Sequence, residues 1–328
     1  MRRTALLLCI LLCLLSGCHA AVVAPTPSAA PTTAPTEDAL FPEKERTIMT
    51  EDGLHWYYAN AGINIHIERV YDKPKEQSYY VATVRLRDSG QMRYTLPDST
   101  LAPSYENRDY TFDIGRKQRA VLVISGAYFI DADNRNGVVM MGEDIYQNDD
   151  GADVLALLPD GSLQGFLAGE TDAETLQQMG VQTATSFGPL LMRDGQVLQN
   201  HIMHSKVFGA NPRMGIGMVD ANHYIIICAE GRIPGAKGFN LLEFAQLFEA
   251  YGCTLAYNLD GGITASISFM GSQLNRNGDR KNEFRKSADV FLFGFSQTVP
   301  TMDTQRFPYA HNPEDGEPAP PQIILNEP

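Results

Sequence analysis

The segment from Asn240 to Met270 constrains the fold more than any other stretch of this chain. Asn240 followed three positions later by Glu243 has the spacing of a capping box, in which each side chain satisfies the other residue's backbone amide. Leu241, Phe244, Ala245 and Phe248 recur at helical spacing, and Gly252 stands where a left-handed C-terminal cap belongs. The pattern predicts a short helix with one apolar face, which must pack on a sheet. Thr254 to Leu259 then reads as a strand, Asp260-Gly261-Gly262 as a turn, and Ile263 to Met270 as the next strand.

The N-terminal third of the body reads as strands. Ile63, Ile65 and Ile67 alternate with Asn64, His66 and Glu68, which places His66 on the solvated face of a half-buried antiparallel sheet, and Tyr79 to Leu86 is rich in β-branched and aromatic residues. Ala120 to Ile124 is a further apolar run ending in the small-residue turn Ser125-Gly126-Ala127. A second capping box at Thr171 to Glu174 opens a short helix that Gly180 closes. The expected fold is α+β, with mixed, largely antiparallel β-sheets and a few packed helices in a single main domain spanning 46–299.

The two ends carry different information. Arg2 and Arg3 precede an apolar run from Ala5 to Leu15, too short for a membrane span, and Leu15-Ser16-Gly17-Cys18 resembles a bacterial lipobox. Residues 1–17 are expected to be a signal peptide, Cys18 the lipidated residue, and 18–45 a Pro/Ala/Thr-rich tether holding the domain outside the cytoplasm. An ordinary signal cut near Ala20 or Ala21 is the alternative. Residues 300–328 read as a Pro-rich acidic tail. Cys9 and Cys13 leave with the signal, so Cys228 and Cys253 remain and are expected to be buried free thiols. A net charge of -13 excludes nucleic acid as a natural partner and leaves any anionic substrate to be met by local arginines and backbone amides.

Five loops carry residues suited to chemistry: Ser125 to Phe129, Ser186 to Gly195, Asn211 to Gly217, Ala229 to Arg232, and the Asp260 turn. Glycines let backbone approach a ligand closely, and arginines offer a bidentate fork for phosphate oxygens. Carboxylates beside them can transfer a proton or attack an anomeric carbon. Asp131 to Gly137 has only a superficial likeness to a calcium loop, because its glycine is late and Arg135 replaces a ligand. His201 and His204 lack an evident third metal ligand, so no metal site is assigned.

In this order the loops resemble the phosphodiester glycosidase family, from about Ala120 to Phe295. Ser125-Gly126-Ala127-Tyr128-Phe129 matches an Asn-Gly-Gly-Phe-Phe-like turn, Gly188 to Gly195 a Gly-Pro-Leu segment with a later Asp-Gly, and Arg213 to Gly217 an Arg-Thr-Ala-Ile-Gly-like segment. Glu230-Gly231-Arg232 matches an Asp-Gly-Arg-like turn, Asn258 to Thr264 matches Asn-Leu-Asp-Gly-Gly-Gly-Ser, and Arg285 to Val290 resembles the closing segment. The departures are Ser125 for asparagine, Ala127 for glycine, Met214 and Gly215 for threonine and alanine, and Ile263 for a third glycine.

The resemblance implies hydrolysis of a glycosyl phosphodiester on an extracellular glycopolymer or glycolipid. Asp260 would be the nucleophile or general base and Glu230 the acid. Arg213 and Arg232 would hold the phosphate, with Gly126, Gly261, Gly262, Ser125, Asn258 and Thr264 lining the substrate. No cofactor is expected, and a divalent-metal requirement stays open. The expected partners are a carbohydrate substrate and, through Cys18, a membrane. Two alternatives remain: a cell-surface glycan-binding lipoprotein without turnover, and a glycosidase acting on ordinary glycosidic bonds.

Overall fold

Three antiparallel sheets make up the body in the computed structural model, which describes residues 37–50, 52–97, 107–127, 137–181, 183–276 and 284–301. Cys18, Tyr128, Phe129 and Asp131 to Asn136 lie outside the described residues, as do 302–328 of the expected tail.

The largest sheet has nine strands. Its order is β1 (Arg46–Met49), β2 (His55–Ala59), β3 (Ile63–Asp72), β4 (Gln77–Leu86), β15 (His223–Ala229), β14 (Arg213–Asp220), β16 (Leu255–Leu259), β12 (Leu190–Arg193) and β13 (Gln196–Val197). A five-stranded sheet runs β18 (Ser272–Gln273), β17 (Ile267–Phe269), β6 (Ala120–Ser125), β19 (Val290–Phe295) and β5 (Met92–Thr95). The other five-stranded sheet runs β10 (Leu163–Phe166), β9 (Val154–Leu157), β11 (Thr183–Ser186), β7 (Val138–Met141) and β8 (Asp144–Asn148).

The alternation seen in the sequence decides which face is buried. Ile63, Ile65 and Ile67 turn into the main core with Tyr80, Val84, Ile216, Ile226 and Tyr257, against Leu122, Ile124, Ile267, Phe291 and Phe293 of the β6–β19 sheet. The opposite face of the nine-stranded sheet carries helices α4 (Gln199–Met203) and α5 (Leu241–Ala250) over a second cluster that includes Tyr79, Ile225, Ile227 and Phe244. Two further helices are α2 (Thr111–Gln118), packed on β6, and α3 (Ala173–Gln178); α1 (Glu37–Leu40) is a single turn.

Helix α5 has the expected capping box, with Asn240 Oδ1 accepting from the Glu243 amide and Glu243 Oε2 accepting from the Asn240 amide. Its aromatic face sits on glycines. A Cβ at Gly215 would stand 2.8 Å from Phe244 Cε1, and one at Gly217 would stand 2.7 Å from Phe248 Cδ1. Cys228 and Cys253 are buried free thiols, as expected.

Three local expectations need correction. The Asp260 turn does not close a hairpin: β16 and β17 belong to different sheets, and Gly262–Thr264 is a single 3-10 turn that carries the chain from one to the other. Helix α3 is capped by Asp172, whose carboxylate accepts from the Thr175 amide, and not by Thr171. His66 is half-buried rather than solvated, because its ring stacks on Tyr57 with centroids 4.3 Å apart and meets His55 at 3.2 Å.

Candidate active site

Register places the chemically interesting residues at one rim. In the nine-stranded sheet Arg213 pairs with Ala229 and Met214 with Leu259, so the start of β14 and the ends of β15 and β16 lie together. In the β6–β19 sheet Ser125 pairs with Val290 and Ile124 with Ile267, which aligns the end of β6 with the starts of β19 and β17. The two rims are joined by a hydrogen bond from the Asp260 amide to the Gly126 carbonyl, 3.0 Å.

The glycines of the turn serve backbone contacts. The Gly262 amide donates to the Pro212 carbonyl at 2.9 Å, and a Cβ at Gly261 would come within 2.6 Å of that same oxygen. Gly262 has φ +62°, a conformation that costs an L side chain energy. Arg232 lies over it, with Nη1 3.6 Å from where a Cβ would stand, and its Nη2 is held by Asn211 Oδ1.

Asp260 is only partly exposed, and burial pushes its carboxyl from the ordinary range up to about 7. The Thr264 hydroxyl, the Arg285 charge and the Gly261 amide pull the other way, while the negative charge of Asp289 adds to the rise. Asp260 Oδ2, Asn258 Oδ1 and Thr264 Oγ1 are all buried without a well-formed hydrogen bond, although the Thr264 hydroxyl lies near enough to the Asp260 carboxyl to lower its pKa. Buried polar atoms in folded proteins are nearly always paired, so the Asn258 oxygen beside this loose carboxyl–hydroxyl pair suits a place that another molecule completes.

The other expected residues are placed differently. Glu230 has no exposed surface and its carboxylate is saturated. It accepts from the Arg276 amide (2.7 Å), Arg276 Nη2 (2.9 Å) and Ser78 Oγ (2.7 Å), and it pairs with Arg69 at 3.5 Å. Burial alone would raise its pKa, but the hydrogen bonds and charges of Arg276 and Arg69 outweigh it and hold the group below its ordinary range. Glu230 is thus a buried anion that fastens β3, β4 and the Arg276 segment, and not a proton donor.

Arg213 is also committed to the fold. Its Nε donates to the Phe239 carbonyl at 3.0 Å and its Nη2 donates to the carbonyls of Val207, at 2.6 Å, and Gly209. It clamps the 207–209 loop instead of presenting its fork to a phosphate. Ser125 is fully buried, its Oγ accepting from the Ser266 amide at 3.2 Å, so it fastens two strands and does not line the substrate space. Asn258 donates from Nδ2 to the Gly188 carbonyl at 2.7 Å, leaving only Oδ1 for a ligand. Gly126 allows close approach, but of Asp289: a Cβ there would meet that carboxyl at 2.8 Å.

Two residues of the Arg285 to Val290 match were given no role by the sequence reading. Arg285 lies exposed beside the turn, its amide donating to the Ile263 carbonyl at 3.2 Å. Asp289 is 1% exposed and accepts from the Ala127 amide at 2.8 Å. The available signal was Asp289 immediately before the apolar run Val290–Phe295 with Arg285 four residues ahead of it, in a segment whose neighbours in space are distant in sequence. His201 lies 2.6 Å from Asp153, which also accepts from the Ala168 and Leu190 amides, while His204 bonds its own helix. Among the described residues no group of three or more His, Cys, Asp or Glu could hold a metal ion.

A family model for phosphodiester glycosidases matches residues 118–294, which holds every element of this rim. The chain belongs to the phosphodiester glycosidase family. Its sequence is similar to a SPbeta prophage-derived uncharacterized protein, YomE, of Bacillus subtilis (strain 168), with 24% identity over 179 residues. The match covers 53% of this chain but only 28% of that relative's length. In fold, the chain resembles the catalytic domain of zebrafish N-acetylglucosamine-1-phosphodiester alpha-N-acetylglucosaminidase, solved auto-inhibited by its pro-peptide. The TM-score is 0.58 and the identity 17%, covering 71% of this chain and 83% of that one. A hypothetical protein from Synechocystis matches with a TM-score of 0.49 and 16% identity, over 71% of this chain and 62% of its own.

Proposed function

We propose that the protein hydrolyses glycosyl phosphodiesters, cleaving the bond between an anomeric carbon and a phosphodiester oxygen, with Asp260 as nucleophile or general base. The observation that carries the reading is the Asp260 carboxyl itself. Its pKa is lifted to about 7, the charge of Arg285 acts on it, and the Arg232 guanidinium lies over Gly262 of the same turn. The arginines face the phosphate; Asp260 faces the anomeric carbon or the water that attacks it.

Leaving-group chemistry supports a phosphodiester over an ordinary glycoside. Glycosidases pair two carboxyl groups because an alkoxide leaving group needs a proton from one of them. A phosphate monoester, whose last proton has a pKa near 6, leaves as an anion without such help. Among the described residues, of the rim carboxyls Glu230, Asp260 and Asp289 only Asp260 is more than marginally exposed, and Glu230 is locked in its ion cluster. One such carboxyl among the described residues, with Arg232 and Arg285 on the same rim, suits the charged substrate better than the neutral one.

An extracellular glycopolymer or glycolipid is the proposed substrate class, reached from a lipid anchor at Cys18; among the described residues no helix is long and apolar enough to cross a membrane. Purified protein offered a panel of sugar-1-phosphodiesters and neutral glycosides is expected to release free sugar from the former alone, and Asp260→Asn to abolish release. Full turnover by the variant would overturn the assignment. Binding without release across the panel would establish the glycan-binding alternative. Incorporation of a palmitate analogue in cells, lost in Cys18→Ala, tests the anchor.

A further inference from the structure

Asp289 is a buried carboxylate of the rim, and its contacts connect all three sheets. Its Oδ2 accepts from the Ala127 amide at 2.8 Å and from the Tyr94 hydroxyl, which in turn accepts from Thr185 Oγ1 at 2.8 Å. Tyr94 belongs to β5, Thr185 to β11, and Asp289 immediately precedes β19. The Asp289 carbonyl accepts from the Gly126 amide at 3.0 Å, and the Gly126 carbonyl accepts from the Asp260 amide at 3.0 Å. Gly126 lies flat on the carboxyl, since a Cβ there would fall 2.8–2.9 Å from its atoms. The hydrogen bonds therefore run unbroken from Thr185 through Tyr94, Asp289 and Gly126 to the backbone of the reacting residue.

We infer that Asp289 is a positioning residue for Asp260, fixing the Gly126–Ala127 turn that carries the Asp260 amide and placing a buried negative charge beside its carboxyl. The placement has a chemical purpose within the proposed reaction, on which this inference rests. Arg232 and Arg285 are needed for the phosphate, yet two cations close to a carboxylate depress its basicity and make it a poor base or nucleophile. Arg213, on the neighbouring strand, adds a third positive charge behind Arg232. A second carboxylate that cannot itself reach the substrate offsets them and restores basicity to Asp260. The rise of the Asp260 carboxyl toward neutrality, to which Asp289 contributes after burial, agrees with this arrangement.

Asp289→Asn removes the charge while keeping an amide oxygen to accept from Tyr94 and Ala127, so the fold is expected to survive. The deciding measurement is the titration of the Asp260 side-chain carboxyl carbon by NMR in the full chain labelled with 13C-aspartate, assigned by its absence in Asp260→Asn. The midpoint is expected to fall by about one pH unit in Asp289→Asn and to move less in Tyr94→Phe, which keeps the charge. On a sugar-1-phosphodiester, the acid limb of kcat should shift with it while KM stays within twofold. An unmoved Asp260 midpoint in a folded Asp289→Asn protein overturns the inference. Because the titration needs no turnover, that failure is distinct from failure of the proposed activity.

Discussion

Asp260 sits in a folded environment that resists its ionised form, and the sign of the consequence can be worked out. Its folded pKa of about 7 lies above the ordinary aspartate value of 3.8. Between those values the folded state binds more protons than the unfolded chain, so stability declines as pH rises from about 4 through 7 and is then level. Asp260→Asn, which cannot ionise, should be more stable than the parent by roughly 1–3 kcal/mol at pH 8 and show little difference at pH 4; thermal melts at both pH values read this directly. A gain at pH 8 together with lost turnover is the usual mark of a residue kept for chemistry at a cost to stability. Arg232→Ala should raise KM for the phosphodiester about tenfold, equivalent to one lost charged contact, with little change in kcat. The Asn258 to Gly262 segment was conspicuous in the sequence because one short stretch holds the whole pattern. The buried partners of Glu230 and Arg213 were not legible for the opposite reason: a sequence displays a charge but not its partner, and Arg276 lies 46 residues from Glu230. Glu230→Ala should cost about 3–5 kcal/mol in urea denaturation, because it removes the buried carboxylate that Arg69, Arg276 and Ser78 share.

At the scale of elements, the local signals were sound where a single element sufficed. The capping box, the helical spacing of Phe244 and Phe248, and the Ile63 to Ile67 alternation each describe one helix or one strand against one face. The turn after Asp260 was misread because Asp-Gly-Gly between apolar runs looks alike whether the next strand returns beside the first or departs to another sheet. What distinguishes them is the Gly262 amide on the Pro212 carbonyl, a contact across 50 residues. The packing of α5 on β14 gives a sharp test. Gly215→Ala and Gly217→Ala each place a methyl within 3 Å of an aromatic ring that is itself fully buried. Each should destabilise by about 1–3 kcal/mol through overpacking, and a chemical melt that shows no loss would mean α5 is free to lift.

At the scale of the molecule, the family match and the structural unit do not coincide. Residues 118–294 contain the rim, but β15 pairs along its whole length with β4, and β19 pairs with β5, both upstream of that stretch. Expressed alone, 118–294 would bare the paired edges of β15 and β19 and lose about a third of the main core, so it is expected to be insoluble, whereas 37–301 should give dispersed amide resonances. Strand order of this kind is what the sequence could not supply, since pairings such as Val290 with Thr95 leave no local trace. The Asp260 turn is slung between two sheets, its first amide on Gly126 and its third on Pro212. Its geometry therefore depends on the distance between them, and any separation of the sheets on warming releases both amides at once. The proposed turnover is then expected to fade below the melting transition and recover on cooling, which parallel activity and melting curves would read.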